Sequence, residues 1–172
     1  IHESRKPKFE RLPEHINIPA RTAAAHTRLL DKLKSDSVLS SLAKNSKIIF
    51  NSDKAKFGII SSGVATSYIS EILHQNNIEG KVSVLDLGMI HPFPEKEVLN
   101  FLKKEFKKIL VLEELDPFVE NAVRTLAQKN KIKNEILGKG FSVLTPAGEF
   151  AIDLITKVLE DFLQIIFNRK QN

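Results

Sequence analysis

Residues 57–63 read F-G-I-I-S-S-G, from Phe57 to Gly63. Phe57, Ile59 and Ile60 make an almost wholly apolar run, too short for a helix and closed by small polar residues. Such a run suits a strand buried on both faces, as in a parallel sheet. Beyond Gly63 the period changes: Ala65, Tyr68, Ile69, Ile72 and Leu73 fall on one stripe of a helix. Strand, small-residue turn and helix open a βαβ unit, and the chain repeats that unit. The segment is therefore expected to be the central strand of an open α/β sheet.

Working upstream, residues 47–51 (K-I-I-F-N) read as a strand, and Asn51-Ser52-Asp53-Lys54 supplies turn chemistry before Phe57. A helix is expected over residues 20–34, with Ala23, His26, Leu30 and Leu33 along one side. Ser35-Asp36-Ser37 interrupts it and can cap a short helix over 38–44. Residues 1–19 carry Pro7, Pro13 and Pro19, many charges and no periodicity, and read as an extended arm or interdomain linker. Beginning at Ile1, the chain reads as a piece of something longer.

Downstream, residues 82–87 form the next buried strand. Gly88 to Pro94 is a loop whose two prolines hold off any helix until residue 95. Glu95 and Glu97 in the first turn, with Lys103, Lys104 and Lys107 near the last, are expected to complement the dipole of that helix. Its buried stripe is Val98, Phe101, Leu102 and Phe106. Residues 109–112 form a strand that runs into Glu113-Glu114. Asp116 is then expected as N-cap, with Pro117 at the first helical position and Val119, Ala122, Val123, Leu126 and Ala127 facing inward. A short strand over 135–137 precedes Gly138-Lys139-Gly140. A last amphipathic helix is expected over 150–167 through Ile152, Ile155, Leu159, Phe162 and Ile166.

At 172 residues, with 42% hydrophobic and 27% charged residues, the chain is a globular domain with attachments. No apolar run approaches membrane-spanning length and no basic-then-apolar leader is legible, so no membrane association is expected, and the absence of cysteine fits a reducing, cytoplasmic setting. The absence of cysteine excludes disulfides, thiolate zinc sites, cysteine nucleophiles and cysteine-held iron–sulfur clusters within this chain. Although the formal net charge is +5, lysines are spread over helix ends and turns, Trp is absent and Tyr occurs once. No aromatic-interleaved basic patch is visible, so nucleic acid is not an expected partner.

In open α/β sheets, ligands collect beyond the carboxyl ends of the strands. Those ends here are Ser61-Ser62-Gly63, the loop through His91 and Pro92, and Glu113-Glu114. Hydroxyls, a histidine and two carboxylates would suffice for acid–base work if they converged. Each also has an ordinary structural role: a helix cap for the serines, a packed or solvent-facing loop for His91, a solvated strand end for the glutamates. There is no G-x-x-x-x-G-K-[ST] phosphate loop, of which Gly138-Lys139-Gly140 is a poor fragment, and no G-x-G-x-x-G. The five histidines have no metal-ligand spacing. No catalytic, cofactor-binding or metal-binding residue is therefore assigned. The expected site is an interface at the strand ends built from Ser62, Gly63, His91, Pro92, Glu113 and Glu114.

Three stretches taken in order carry a resemblance: S-S-G-V-A-T-S-Y-I-S-E-I-L, V-S-V-L-D-L-G-M-I-H-P-F-P and K-I-L-V-L-E-E-L-D-P-F-V-E-N-A-V. With N-I-P-A-R in the arm and the Gly-Lys after the last strand, the chain resembles the transketolase C-terminal-like domain. Within that superfamily it is most similar to the middle domain of the α subunit of indolepyruvate ferredoxin oxidoreductase, over roughly residues 15–160. The resemblance implies a three-layer α/β/α sandwich with a five-stranded mixed sheet of order 1-3-2-4-5 and an antiparallel first strand. It implies these parts: an arm (1–19), a helical segment (20–46), the α/β domain (47–149) and a C-terminal helix (150–172) leading towards a further domain. The whole enzyme oxidatively decarboxylates aryl 2-oxoacids to acyl-CoA with thiamine diphosphate, magnesium and iron–sulfur clusters. This chain lacks the G-D-G…N diphosphate motif and every cluster cysteine. The resemblance thus implies a non-catalytic domain whose partners are the pyrimidine and diphosphate domains, a β subunit and a second copy of the whole enzyme. The alternatives are the equivalent domain of another 2-oxoacid dehydrogenase or synthase, and a stand-alone interaction module.

Overall fold

The computed structural model describes residues 16, 18–52 and 54–167, so the arm read over residues 1–19 lies almost wholly outside the described residues. Contacts divide the chain into two units, Ile1–Leu39 and Ser40–Asn172. In the first, α1 (Pro19–Leu33) begins with its proline in the first turn, where the missing N–H costs nothing. It buries none of its residues, and Leu29 and Leu30 are exposed, so the stripe expected along Ala23, His26, Leu30 and Leu33 is not a buried face. A short second helix, α2 (Asp36–Asn45), begins in this unit and ends in the next.

The second unit holds five strands: β1 (Ser46–Phe50), β2 (Phe57–Ser62), β3 (Val82–Leu87), β4 (Lys108–Leu112) and β5 (Glu135–Leu137). Their order is β1-β3-β2-β4-β5, with β1 antiparallel to β3 and the other pairings parallel. This is the expected mixed sheet, with β2 at its centre. Alternate residues of the strands feed two separate cores, as the two-residue period of a strand demands. Ile59, Val84, Leu110 and Leu112 join residues of α3 (Val64–Gln75) and α6 (Ile152–Leu163) on one face. Ile60, Leu85 and Val111 join residues of α4 (Glu95–Leu102) and α5 (Phe118–Lys129) on the other. Three layers result, α/β/α.

The connections explain which helix covers which face. The β2–α3–β3 crossover steps one place towards β1, whereas β3–α4–β4 steps back across β2, and β4–α5–β5 continues the same way. Right-handed crossovers taken in opposite directions put their helices on opposite faces. The chain therefore leaves β2 and β4 in opposite directions, which opens a crevice beyond their carboxyl ends. Register places Ser61 opposite Leu112, so Ser62-Gly63 and Glu113-Glu114 leave the sheet side by side.

Close packing accounts for Gly58 in mid-strand. A Cβ there would lie 2.7 Å from a ring carbon of Phe106 and 3.1 Å from one of Phe101. Those two rings pack against each other over β2, 4.9 Å between centroids and inclined by 43°. Reaching that position takes Phe106 out of the helix: α4 ends at Leu102, and Lys103 is its C-cap. Lys104 and Lys107 thus lie beyond the helix, and the expected lysines of its last turn are not in it. The last helix is also shorter than its pattern, because Gln164 adopts a left-handed conformation (φ 56°) and ends α6. Ile166 is consequently 92% exposed rather than inward, and Phe167 takes the buried place, its N–H donating to the Glu160 carboxylate at 2.9 Å.

Ile60 is fully buried between Leu85 and Val111. Replacing it by alanine is expected to destabilise the chain by about 2–5 kcal/mol in urea melts. A loss under about 1 kcal/mol would contradict the packing of β2 on both faces.

Candidate functional site

The carboxyl edge of the parallel strands is built from three turns. After β2, Ser62 is half-buried and Gly63 exposed. Gly63 has φ 64° and ψ −143°, a conformation costly for any residue with a Cβ, and it serves as N-cap of α3 without a side-chain bond. Ser61 is fully buried, and its Oγ lies 2.8 Å from the Thr66 hydroxyl. Thr66 in turn donates to the Asp86 carboxylate at 2.8 Å. This chain of polar groups ties the end of β2 to α3 and β3. After β3, His91 is exposed and Pro92 half-buried, joined by a cis peptide bond.

After β4 the two glutamates separate. Glu113 is 5% exposed, and its carboxylate turns back under α5. Its oxygens accept the N–H groups of Val119 at 2.7 Å and Glu120 at 2.8 Å. These are first-turn amides that the helix itself cannot pair, and the positive end of the helix dipole favours a carboxylate there. Glu113, read from sequence as a solvated strand end, is thus the capping group of α5. Asp116 is not. Pro117 occupies the N-cap position, with ψ 62° and no side-chain bond, and the helix starts one residue later than expected, at Phe118. A sequence-local capping rule looks at the residue next to the helix, but here the acceptor comes from the strand end across the turn.

A second buried carboxylate completes the arrangement. Glu120, 6% exposed, accepts from Arg124 Nε at 2.8 Å and from the main-chain N–H of Lys139 at 2.7 Å. Gly138 is glycine because a Cβ there would lie 2.1 Å from a Glu120 carboxylate oxygen. The Lys139 ammonium donates to the Glu113 main-chain carbonyl at 2.6 Å and sits 5.1 Å from the Phe150 ring centroid. Burial holds that ammonium below the usual lysine range, against the raising effect of Glu113, Glu120, Glu114 and Asp116. Gly138-Lys139-Gly140 is therefore a contact with the chain's own carboxylate and not a phosphate cradle. Glu114, exposed, accepts the Phe150 N–H at 3.1 Å and pins the chain ahead of α6.

Of the residues read from sequence, Ser62-Gly63 and Glu113-Glu114 are neighbours by strand register, and the His91 loop follows β3 at the same edge. No hydrogen bond among the described residues links Ser62 or His91 to the glutamates. The Glu113 oxygens are taken up by backbone amides, so that carboxylate is not a free base. Among the described residues no group of three or more His, Asp or Glu could hold a metal ion. The edge does carry a feature that polar motifs could not reveal. Val64, Leu115 and Phe118 are 40%, 56% and 54% exposed, beside Gly63 and Glu114. Glu120 and Lys139 were also missed as structural partners, although the Glu120–Arg124 spacing of four on a helix was a legible signal.

Glu113→Ala leaves two buried amides without acceptors and is expected to cost about 2–4 kcal/mol of stability by urea denaturation. Glu114→Ala removes one exposed bond and should cost less than about 1 kcal/mol. Equal losses for the two variants would contradict the capping role of Glu113.

No family model matches the chain. It is similar to segments of curated indolepyruvate oxidoreductase IorA subunits. With that of Methanothermobacter thermautotrophicus it is 28% identical over 152 residues, which cover 88% of this chain and 24% of the relative. With that of Archaeoglobus fulgidus it is 35% identical over 121 residues, 69% of this chain and 18% of the relative. The chain thus spans about a quarter or less of these relatives. Among solved structures, a 2-oxoglutarate:ferredoxin oxidoreductase from Magnetococcus marinus aligns with a TM-score of 0.54 at 19% identity, over 84% of this chain and 24% of that one. The inactive tetramer of a split-gene transketolase aligns with a TM-score of 0.51 at 15% identity, over 69% and 39%. The resemblance carried by the motifs is borne out by the IorA similarity, and the fold by both structures.

Proposed function

We propose that this chain is a transketolase C-terminal-like domain of a 2-oxoacid ferredoxin oxidoreductase α subunit of the indolepyruvate type. In that setting it is an assembly domain and carries no catalytic residue of its own. The observation that supports the reading is the composition of the carboxyl edge. Its buried carboxylates are spent on holding the fold, while Val64, Leu115 and Phe118 leave apolar surface exposed beside Gly63, His91, Pro92 and Glu114. Exposed apolar side chains set among polar residues at the ends of neighbouring strands have the composition of a contact surface. Its partners are the pyrimidine and diphosphate domains of the same subunit, the β subunit and a second copy of the enzyme. Thiamine diphosphate, magnesium and iron–sulfur clusters belong to those other parts. The residues here do not fit them, because the chain has no cysteine and the Glu113 and Glu120 oxygens are already accepting backbone and arginine donors. No described helix is long and apolar enough to cross a membrane, and the proposed setting is cytoplasmic.

Two measurements check this. In the full-length enzyme, Leu115→Ser combined with Phe118→Ser is expected to weaken subunit association about tenfold or more, with loss of turnover. The same pair in the 172-residue chain should leave its melting temperature within a few degrees, since both side chains are exposed. Unchanged assembly and turnover would exclude the edge as an interface. Separately, titrating the chain with thiamine diphosphate and magnesium in a calorimeter is expected to give no saturable heat. Binding at about micromolar strength would overturn the non-catalytic role.

A further inference from the structure

We propose that the opposite edge of the sheet, where the parallel strands begin, is a docking surface for an acidic protein. Two shallow grooves adjoin there and share residues 103–106. One is lined by Lys54, Lys56, Lys103 and Lys104, the other by Lys103, Lys104, Lys107 and Lys133. The only carboxylate among the described lining residues is Glu105. Among the described lining residues six lysines face one glutamate, an excess of positive charge equal to the +5 of the whole chain.

The arrangement is one that folding alone would avoid. The Lys107 N–H donates to the Lys56 carbonyl at 2.7 Å, which continues the register of Phe57 with Lys108 by one residue. Lys56 and Lys107, each one residue ahead of its strand, are therefore neighbours across the start of β2 and β4, both exposed. Like charges at such positions destabilise a sheet. Lys108, one residue on, has its counter-charge in Glu135 at 3.1 Å, whereas neither Lys56 nor Lys107 pairs with a carboxylate among the described residues. The negative end of the α4 dipole favours Lys103 and Lys104, but it does not account for Lys56, Lys107 or Lys133. A local repulsion retained with no carboxylate partner among the described residues points to a partner outside.

The chemistry of the grooves selects the partner. Compact phosphate is bound best by helix N-termini and by the forked guanidinium of arginine. This edge has the end of α4, and no arginine lines either groove. Single-stranded nucleic acid needs exposed aromatic faces, but Phe101 and Phe106 are buried against β2. Lysine heads spread over a shallow surface, that of Lys104 donating to Asn51 Oδ1 at 2.7 Å, suit many weak contacts with aspartate and glutamate, a steering surface whose strength falls with salt.

The test uses the 172-residue chain and a labelled poly-L-glutamate peptide, followed by fluorescence anisotropy, with single-stranded and duplex DNA of matched charge in parallel. Binding is expected at low salt and is expected to weaken at least about tenfold towards about 0.15 M salt. Lys56→Gln, Lys103→Gln and Lys107→Gln together should lower peptide affinity about tenfold or more, with the melting temperature unchanged or raised. Lys44→Gln, Lys47→Gln and Lys96→Gln together make the same change in net charge elsewhere and should lower it less than about twofold. Equal losses in the two triple variants, absence of peptide binding, or tighter binding to DNA than to the peptide would each overturn the proposal. So would a lower melting temperature of the first variant, which would make those lysines supports of the fold.

Discussion

The double burial of β2 is the constraint from which the rest of the second unit follows. A strand with Ile59 in one core and Ile60 in the other must be covered by helices on both faces and paired on both edges. Parallel neighbours can be reached only through crossovers, and right-handed crossovers reach both faces only if the chain leaves the centre in two directions. That one requirement places α3 and α6 together, α4 and α5 together, and a crevice at the carboxyl ends of β2 and β4. Gly58 belongs to the same constraint, because the packed Phe101 and Phe106 rings need the space its missing Cβ provides.

A crevice of this kind commonly receives a ligand. Here the chain meets much of its polarity from within. The Glu113 carboxylate reaches the amides of α5, and Glu120 reaches Arg124 and the Lys139 amide. Lys139 reaches back to the Glu113 carbonyl, and Glu114 holds the Phe150 amide. These bonds join the end of β4, α5, the segment after β5 and the segment before α6. The buried carboxylates of Glu113 and Glu120, held by these donors, rigidify the edge. The outward surface there includes the apolar side chains of Val64, Leu115 and Phe118 as well as the exposed His91 and Glu114. The two ends of the sheet thereby differ in character: one apolar and rimmed by polar groups, the other lysine-rich with no buried ion network among the described residues.

Much of the architecture was legible because it rests on short-range periodicity. The run at Phe57–Gly63, the helical stripes that follow and the proline-bounded loop before residue 95 each reported a local fact, and β2, β3, β5 and α3 stand where those facts put them. Strand order came from resemblance, since no periodicity within a strand names its neighbour. Helix ends were less legible. The apolar pattern of the last helix runs to Phe167, yet the helix ends at Leu163, because the left-handed Gln164 swings Phe167 into the core and Ile166 into solvent.

The candidate site divides the same way. Sequence by itself determined that cysteine chemistry is absent and that β2 is an apolar strand suited to the centre of an α/β sheet; that Ser62-Gly63 lies near Glu113-Glu114 followed only from the strand order that the resemblance implied. Each of these depends only on residue identity, period or the order of motifs. Only the tertiary structure decided what the glutamates do. Glu113 and Glu114 are adjacent and chemically identical, and nothing local separates them. One turns under a helix whose unpaired amides lie within hydrogen-bond reach, and the other stays in water with a single amide. The physical reason is that a carboxylate's role is set by the donors that surround it, and these donors come from α5, more than four residues downstream, and from the segment before α6, 36 residues away.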